Sequence, residues 1–84
     1  MPHARGVRLS RRAEKALNAV EARFRDPIKE AIRELSENPL IGKHLKGGFE
    51  GLRSYRLGRF RIVYRFTADL SEVVYVDHRK DVYR

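Results

Sequence analysis

The chain predicts an α+β fold in the order β-α-α-β-β-β, with a two-helix hairpin packed on one face of a small, mainly antiparallel sheet. Three observations carry this. Apolar residues recur with helical spacing between Ser10 and Asn38, arginines alternate with apolar residues from Leu52 to Phe66, and Val73-Val74-Tyr75-Val76 forms a short, continuous apolar run. Helical period followed by strand period is the signature of helices segregated to one face of a sheet.

Val7 and Leu9, with Arg8 between them, mark a short first strand. Ser10 follows as an N-cap, and Ala13, Ala16, Leu17, Val20 and Phe24 form the apolar stripe of a first helix. Asp26-Pro27 reads as a second N-cap with proline at the first helical position. Ile28, Ala31, Ile32 and Leu35 then line one face of the second helix, which Asn38-Pro39 ends. From Pro39 to Gly51 the glycines at 42, 47, 48 and 51 indicate a loop.

Gly58-Arg59 fits a two-residue hairpin loop, because glycine at its first central position suits a type II′ turn. That turn sets Leu57 opposite Phe60, Arg56 opposite Arg61 and Ser54 opposite Val63. Ala68 to Ser71 makes the next turn, leading into a central strand over Val73–Val76. Alternation then assigns the faces. Phe60, Ile62, Tyr64 and Phe66, with Tyr55 and Leu57, meet the helices, and Val74 and Val76 point the same way. Arg56, Arg61 and Arg65 fall on the open face with Tyr75, Asp77 and Arg79. Like charges set directly opposite destabilise a sheet. Arg56 across from Arg61 is thus better suited to an anion than to the hairpin's own stability, and the anion indicated is RNA phosphate.

The bulk numbers agree. Eighty-four residues, 42% of them hydrophobic, are expected to make one domain over 1–84 with a single core. A formal net charge of +8 points to a polyanionic partner such as nucleic acid, the ribosome, an anionic membrane or an acidic protein. Between Lys43 and Arg65 there are seven basic residues against one acid, Glu50, and they fall mainly on strands rather than in a loose tail. Cysteine is absent, which excludes a disulfide framework and any thiolate metal site and fits a reducing cytoplasm. No apolar run reaches the length of a membrane span, and the first ten residues lack a signal-peptide core. Asp77, Asp81 and Glu72 show no metal-ligand spacing, so a metal-free and cofactor-free site is expected.

At this point the chain resembles the RelE/ParE superfamily of toxins, and within it the RelE branch of ribosome-dependent mRNA interferases. The segments that carry the likeness are Ser10 with its Ala/Leu helix, Glu37-Asn38-Pro39, Leu45-Lys46-Gly47, Arg56-Leu57-Gly58-Arg59-Phe60-Arg61-Ile62-Val63-Tyr64 and His78-Arg79-Lys80-Asp81-Val82-Tyr83. They span nearly the whole chain in the right order. The resemblance implies a type II toxin that cleaves mRNA in the A site of the small ribosomal subunit, with the mRNA's own 2′-hydroxyl as nucleophile. It also implies a cognate acidic antitoxin. Arg61 matches the family's sheet arginine on the scissile phosphate, and Arg79 its late-strand arginine that stabilises the transition state or leaving group. Tyr83 matches the terminal tyrosine that stacks on the base or assists proton transfer. Arg56 falls where the family often carries lysine. Arg56, Arg65, Arg53 and Lys46 are the candidate RNA-binding residues. The loop has no clear counterpart to the glutamate base of some relatives, and with one residue after Tyr83 the C-terminal helix of some members is not expected here.

The chemistry of the residues fits that implication. Cleavage by an internal 2′-hydroxyl needs in-line geometry, charge stabilisation of a pentacovalent phosphorane, and proton transfers. Arginine suits the second, because its fork binds phosphate oxygens bidentately, but it is a poor base. A site dominated by arginine predicts little activity on free RNA and dependence on a positioning scaffold. His44, Glu50 and His78 are candidate bases. Each has a plainer reading: His44 as a loop residue, and His78 as a partly buried structural histidine sharing the parity of Val74 and Val76. Arg56 and Arg61 could likewise be solvated sheet-face charges, and Arg79 a partner of Asp77 or Asp81. Two other functions stay open from sequence: a ParE-like toxin that inhibits DNA gyrase by binding, and a plain RNA-binding module.

Overall fold

The structure is a computed structural model and describes residues 6–45 and 51–78. Strand β1 (Gly6–Leu9) leads into helices α1 (Arg11–Asn18) and α2 (Ala22–Glu37). Strands β2 (Lys43–His44), β3 (Arg53–Leu57), β4 (Phe60–Phe66) and β5 (Leu70–His78) follow. The sheet order is β1-β5-β4-β3-β2. β1 runs parallel to β5, and the other neighbours are antiparallel. This is the expected α+β arrangement, with a two-residue edge strand inside the segment read as loop.

Ser10 ties the first crossover together. Its hydroxyl accepts the Ala13 N–H at 3.0 Å, capping α1, and donates to the Val74 carbonyl at 2.7 Å. The cap therefore joins the start of α1 to the middle of β5. At the other end of α1, Arg25 donates to the carbonyls of Asn18 and Val20 at 3.2 and 3.1 Å, satisfying carbonyls that have no partner within a helix end.

The helix boundaries correct two expectations. α1 stops at Asn18, and Phe24 belongs to α2, which starts at Ala22 rather than after Asp26. Pro27 lies inside α2 as its sixth residue and forfeits one bond of the ladder. Tertiary packing outweighs that loss. Starting the helix a turn early sets Phe24 against Phe60, ring centroids 5.4 Å apart, while Ile28, Ala31, Ile32 and Leu35 bury the expected stripe. Together with Ala13, Leu17 and Val20 they cover Phe60, Ile62, Tyr64, Val73 and Val76 on one face of the sheet.

One further expectation fails on β5. Val73, not Val74, is buried with Val76, at 1% and 4% exposure. The register shifts between Val63 and Tyr64, so that Val63 pairs with Tyr75 and Tyr64 with Val73. Val74 is the extra residue of a β-bulge, and inward parity changes across it.

Candidate functional site

The hairpin forms in the predicted register, with Leu57 opposite Phe60, Arg56 opposite Arg61 and Ser54 opposite Val63. Gly58 adopts φ +60°, a left-handed value that glycine accepts without strain. Ladder pairs share a face, so the side of the sheet away from the helices carries Ser54, Arg56, Arg61, Val63 and Arg65. The β4–β5 ladder adds Glu72, Tyr75 and Asp77. The β2–β3 ladder pairs Lys43 with Ser54, which brings Lys43 to the same face.

The charges on this face are organised in pairs. Arg61 lies 3.2 Å from Asp77 directly across the ladder, and Arg65 lies 2.9 Å from Glu72. Tyr75 donates its hydroxyl to the other Asp77 oxygen at 3.4 Å. The Arg12 guanidinium stacks 4.3 Å over the Tyr75 ring, a cation–π contact that ties α1 to this strand. The Arg61 Nε is buried and has no hydrogen-bond partner among the described residues. Asp77 thus holds one end of the Arg61 guanidinium in place and leaves it with donors unspent, and it relieves part of the repulsion from Arg56. Arg56 and Lys43, both exposed, have no carboxylate within 4 Å among the described residues. The face therefore combines two anchored arginines with two cations that no carboxylate among the described residues neutralises. That arrangement grips an anion with preset donors and little reorganisation.

Other candidates sit elsewhere. Arg53 shares the parity of Tyr64 and donates to the Gly42 carbonyl at 3.1 Å, so it is engaged with its own chain. His44 pairs with Arg53 and also has helix-side parity. His78 pairs with Phe60 and stacks on its ring at 4.4 Å. It is exposed rather than buried, and lines a groove with Val20, Phe24, Leu57 and Phe60. Neither histidine shares a face with Arg61. Arg79, Tyr83, Lys46 and Glu50 lie outside the described residues. Among the described residues no cluster of three or more histidine, aspartate or glutamate side chains could hold a metal ion, and no helix is long and apolar enough to cross a membrane.

Sequence reasoning missed Lys43. Two residues are too short to show alternation, and the signal lay in Gly42. A Cβ there would meet Tyr64 Cε1 at 2.7 Å and the Ser54 carbonyl at 2.9 Å, so Gly42 is pressed against the inner side. The next residue must therefore face outward.

Two helices on one side of an open sheet, with a basic hairpin face on the other, define a small α+β domain built around a cationic surface. Known proteins give that class a family. The family model for the ParE toxin of type II toxin–antitoxin systems matches residues 7–83. Toxin RelG of Mycobacterium tuberculosis is 36% identical over 88 aligned residues, covering 100% of this chain and 99% of the relative. A chain of the RelBE2 toxin–antitoxin complex from M. tuberculosis superposes with a TM-score of 0.84 at 30% identity, over 96% of this chain and 98% of that one. The isolated E. coli RelE toxin shares the fold, with a TM-score of 0.77 at 20% identity over 92% and 86% of the two chains. The chain belongs to the RelE/ParE superfamily of type II toxin–antitoxin toxins.

Proposed function

We propose that this toxin is a metal-independent endoribonuclease that cleaves mRNA in the A site of the small ribosomal subunit. The observation that carries the reading is Arg61, held by Asp77 at 3.2 Å and directly opposite the exposed Arg56, on a sheet face the helices leave open. Arg61 binds the non-bridging oxygens of the scissile phosphate. The 2′-oxygen attacks phosphorus as its proton departs, the bond to the 5′-oxygen breaks, and that oxygen leaves with a proton. The products are a 2′,3′-cyclic phosphate upstream and a 5′-hydroxyl downstream. Arg79 shares the developing charge, and Tyr83 stacks on the base or assists a proton transfer. Arg56 and Arg65 contact neighbouring phosphates, with Lys46 as an outlying cation.

The ribosome supplies in-line positioning that a face of cations does not, and such positioning lowers barriers by many kcal/mol. The antitoxin partner is acidic and covers the arginine face, so toxin and antitoxin associate fast and in a salt-dependent way in the cytoplasm. The test is single-turnover cleavage of mRNA on programmed ribosomes with end-group analysis, run beside a DNA gyrase supercoiling assay. Cleavage that leaves 5′-hydroxyl ends supports the proposal. Intact mRNA with inhibited supercoiling, or products with 5′-phosphates, would overturn it.

A further inference from the structure

The geometry points to Lys43 as an RNA-contacting residue of the same site, gripping a backbone phosphate on the far side of Arg56 from the scissile phosphate held by Arg61. This rests on the ribonuclease reading above but needs only its substrate, not its chemistry. Lys43 stands opposite Ser54 on the outer face, and Arg56 is two residues along β3 on that face. Strand spacing and rise put the Lys43 and Arg56 backbones roughly 8 Å apart, and Lys43 roughly 12 Å from Arg61. Ser54 between them is short and leaves the surface open. Lys43 is exposed and has no carboxylate within 4 Å among the described residues. No described carboxylate competes with a ligand for its charge.

The backbone that carries Lys43 is fixed from beneath. The wholly buried Tyr64 accepts the Gly42 N–H at 2.9 Å and donates to the Pro39 carbonyl at 2.6 Å. Arg53 donates to the Gly42 carbonyl at 3.1 Å. Both polar groups of the residue before Lys43 are thus held by side chains from the central part of the sheet. A two-residue edge strand would otherwise fray. Here it is latched, so the cation is delivered at a set position. A phosphate contact of this kind adds affinity and salt dependence without sequence preference.

The experiment measures binding and cleavage separately. Binding is read on ribosomes programmed with an mRNA 2′-O-methylated at the A-site codon, which cannot supply the nucleophile, across a salt series. Cleavage is read on the unmodified mRNA. Lys43→Ala should weaken binding about fivefold and flatten the log–log salt slope by about 0.7. Its cleavage rate at saturating toxin should stay within twofold of wild type. Lys43→Arg should restore binding, Lys43→Glu should weaken it further, and Lys29→Ala on the exposed side of α2 should change neither. An unchanged salt slope in Lys43→Ala would overturn the assignment, as would failure of Lys43→Arg to restore binding or a loss confined to the saturated rate. Wild-type binding without cleavage would instead remove the ribonuclease reading and leave the contact to be judged on affinity alone.

Discussion

Arg61→Ala is expected to leave the fold nearly intact while removing most of the cleavage rate. The Arg61–Asp77 pair is partly wet, with side-chain exposures of 38% and 27% at a separation of 3.2 Å. Ion pairs exposed to that degree contribute about 0.2–1 kcal/mol, because solvent screens the attraction and two flexible side chains are ordered. Losing Arg61 also removes its repulsion with Arg56 directly opposite, which offsets part of the loss. The fold should therefore lose less than about 1 kcal/mol, a fall of at most about 8 °C in Tm for a domain of this size.

The transition state is more demanding. On the proposed mechanism, a guanidinium already oriented by Asp77 meets a phosphorane that gains negative charge as the 2′-oxygen attacks. Loss of one such donor costs about two to three orders of magnitude in rate, or about 2.7–4 kcal/mol. Thermal denaturation and single-turnover cleavage on programmed ribosomes, run on the same preparation, separate the two quantities. A fall of 15 °C or more with a modest rate loss would make Arg61 structural. A wild-type rate with an unchanged Tm would leave it a solvated surface charge. Either result refutes the reasoning.

Asp77→Asn keeps the side chain's shape but unmasks the Arg56–Arg61 repulsion, so its Tm should fall by a few degrees and recover in part with added salt; denaturation at two ionic strengths checks this. Tyr64→Phe strands the Gly42 N–H and the Pro39 carbonyl and should cost about 2–4 kcal/mol, measured by urea unfolding. Burial raises the Tyr64 pKa, against smaller lowering contributions from the Gly42 N–H and Arg53. The unfolded chain therefore releases this proton first as pH rises. The stability is present in full below about pH 10 and declines above it, and Tyr64→Phe should flatten that alkaline limb. Ser10→Ala removes both the α1 cap and the link to Val74 and should cost about 1–2 kcal/mol, also read by urea unfolding.

The parts of this fold legible in the sequence are those that local chemistry determines. Gly58 dictates the turn, the turn dictates the register, and the register places Arg56 opposite Arg61. What stayed hidden depends on tertiary contacts: the early start of α2, the latched strand at Lys43, and the bulge at Val74. The bulge matters most for the site. Val73 and Val76 are both buried although three residues apart, a spacing that uninterrupted alternation cannot satisfy. Without the extra residue, the register of Tyr64 with Val73 would continue, setting Asp77 opposite Phe60 on the helix side and Val76 opposite Arg61. With it, Glu72 faces Arg65 and Asp77 faces Arg61 on one surface, and both valines stay in the core. Ser10 donates to the Val74 carbonyl at the point of the bulge, giving a polar group of the irregular residue a partner from the α1 cap. The cap that starts the first helix thus supports the irregularity that brings a carboxylate to Arg61. Repulsion alone would drive the Arg56 and Arg61 side chains apart; the bulge supplies the counter-charge that lets the opposed pair persist on the surface and stand ready for an anion.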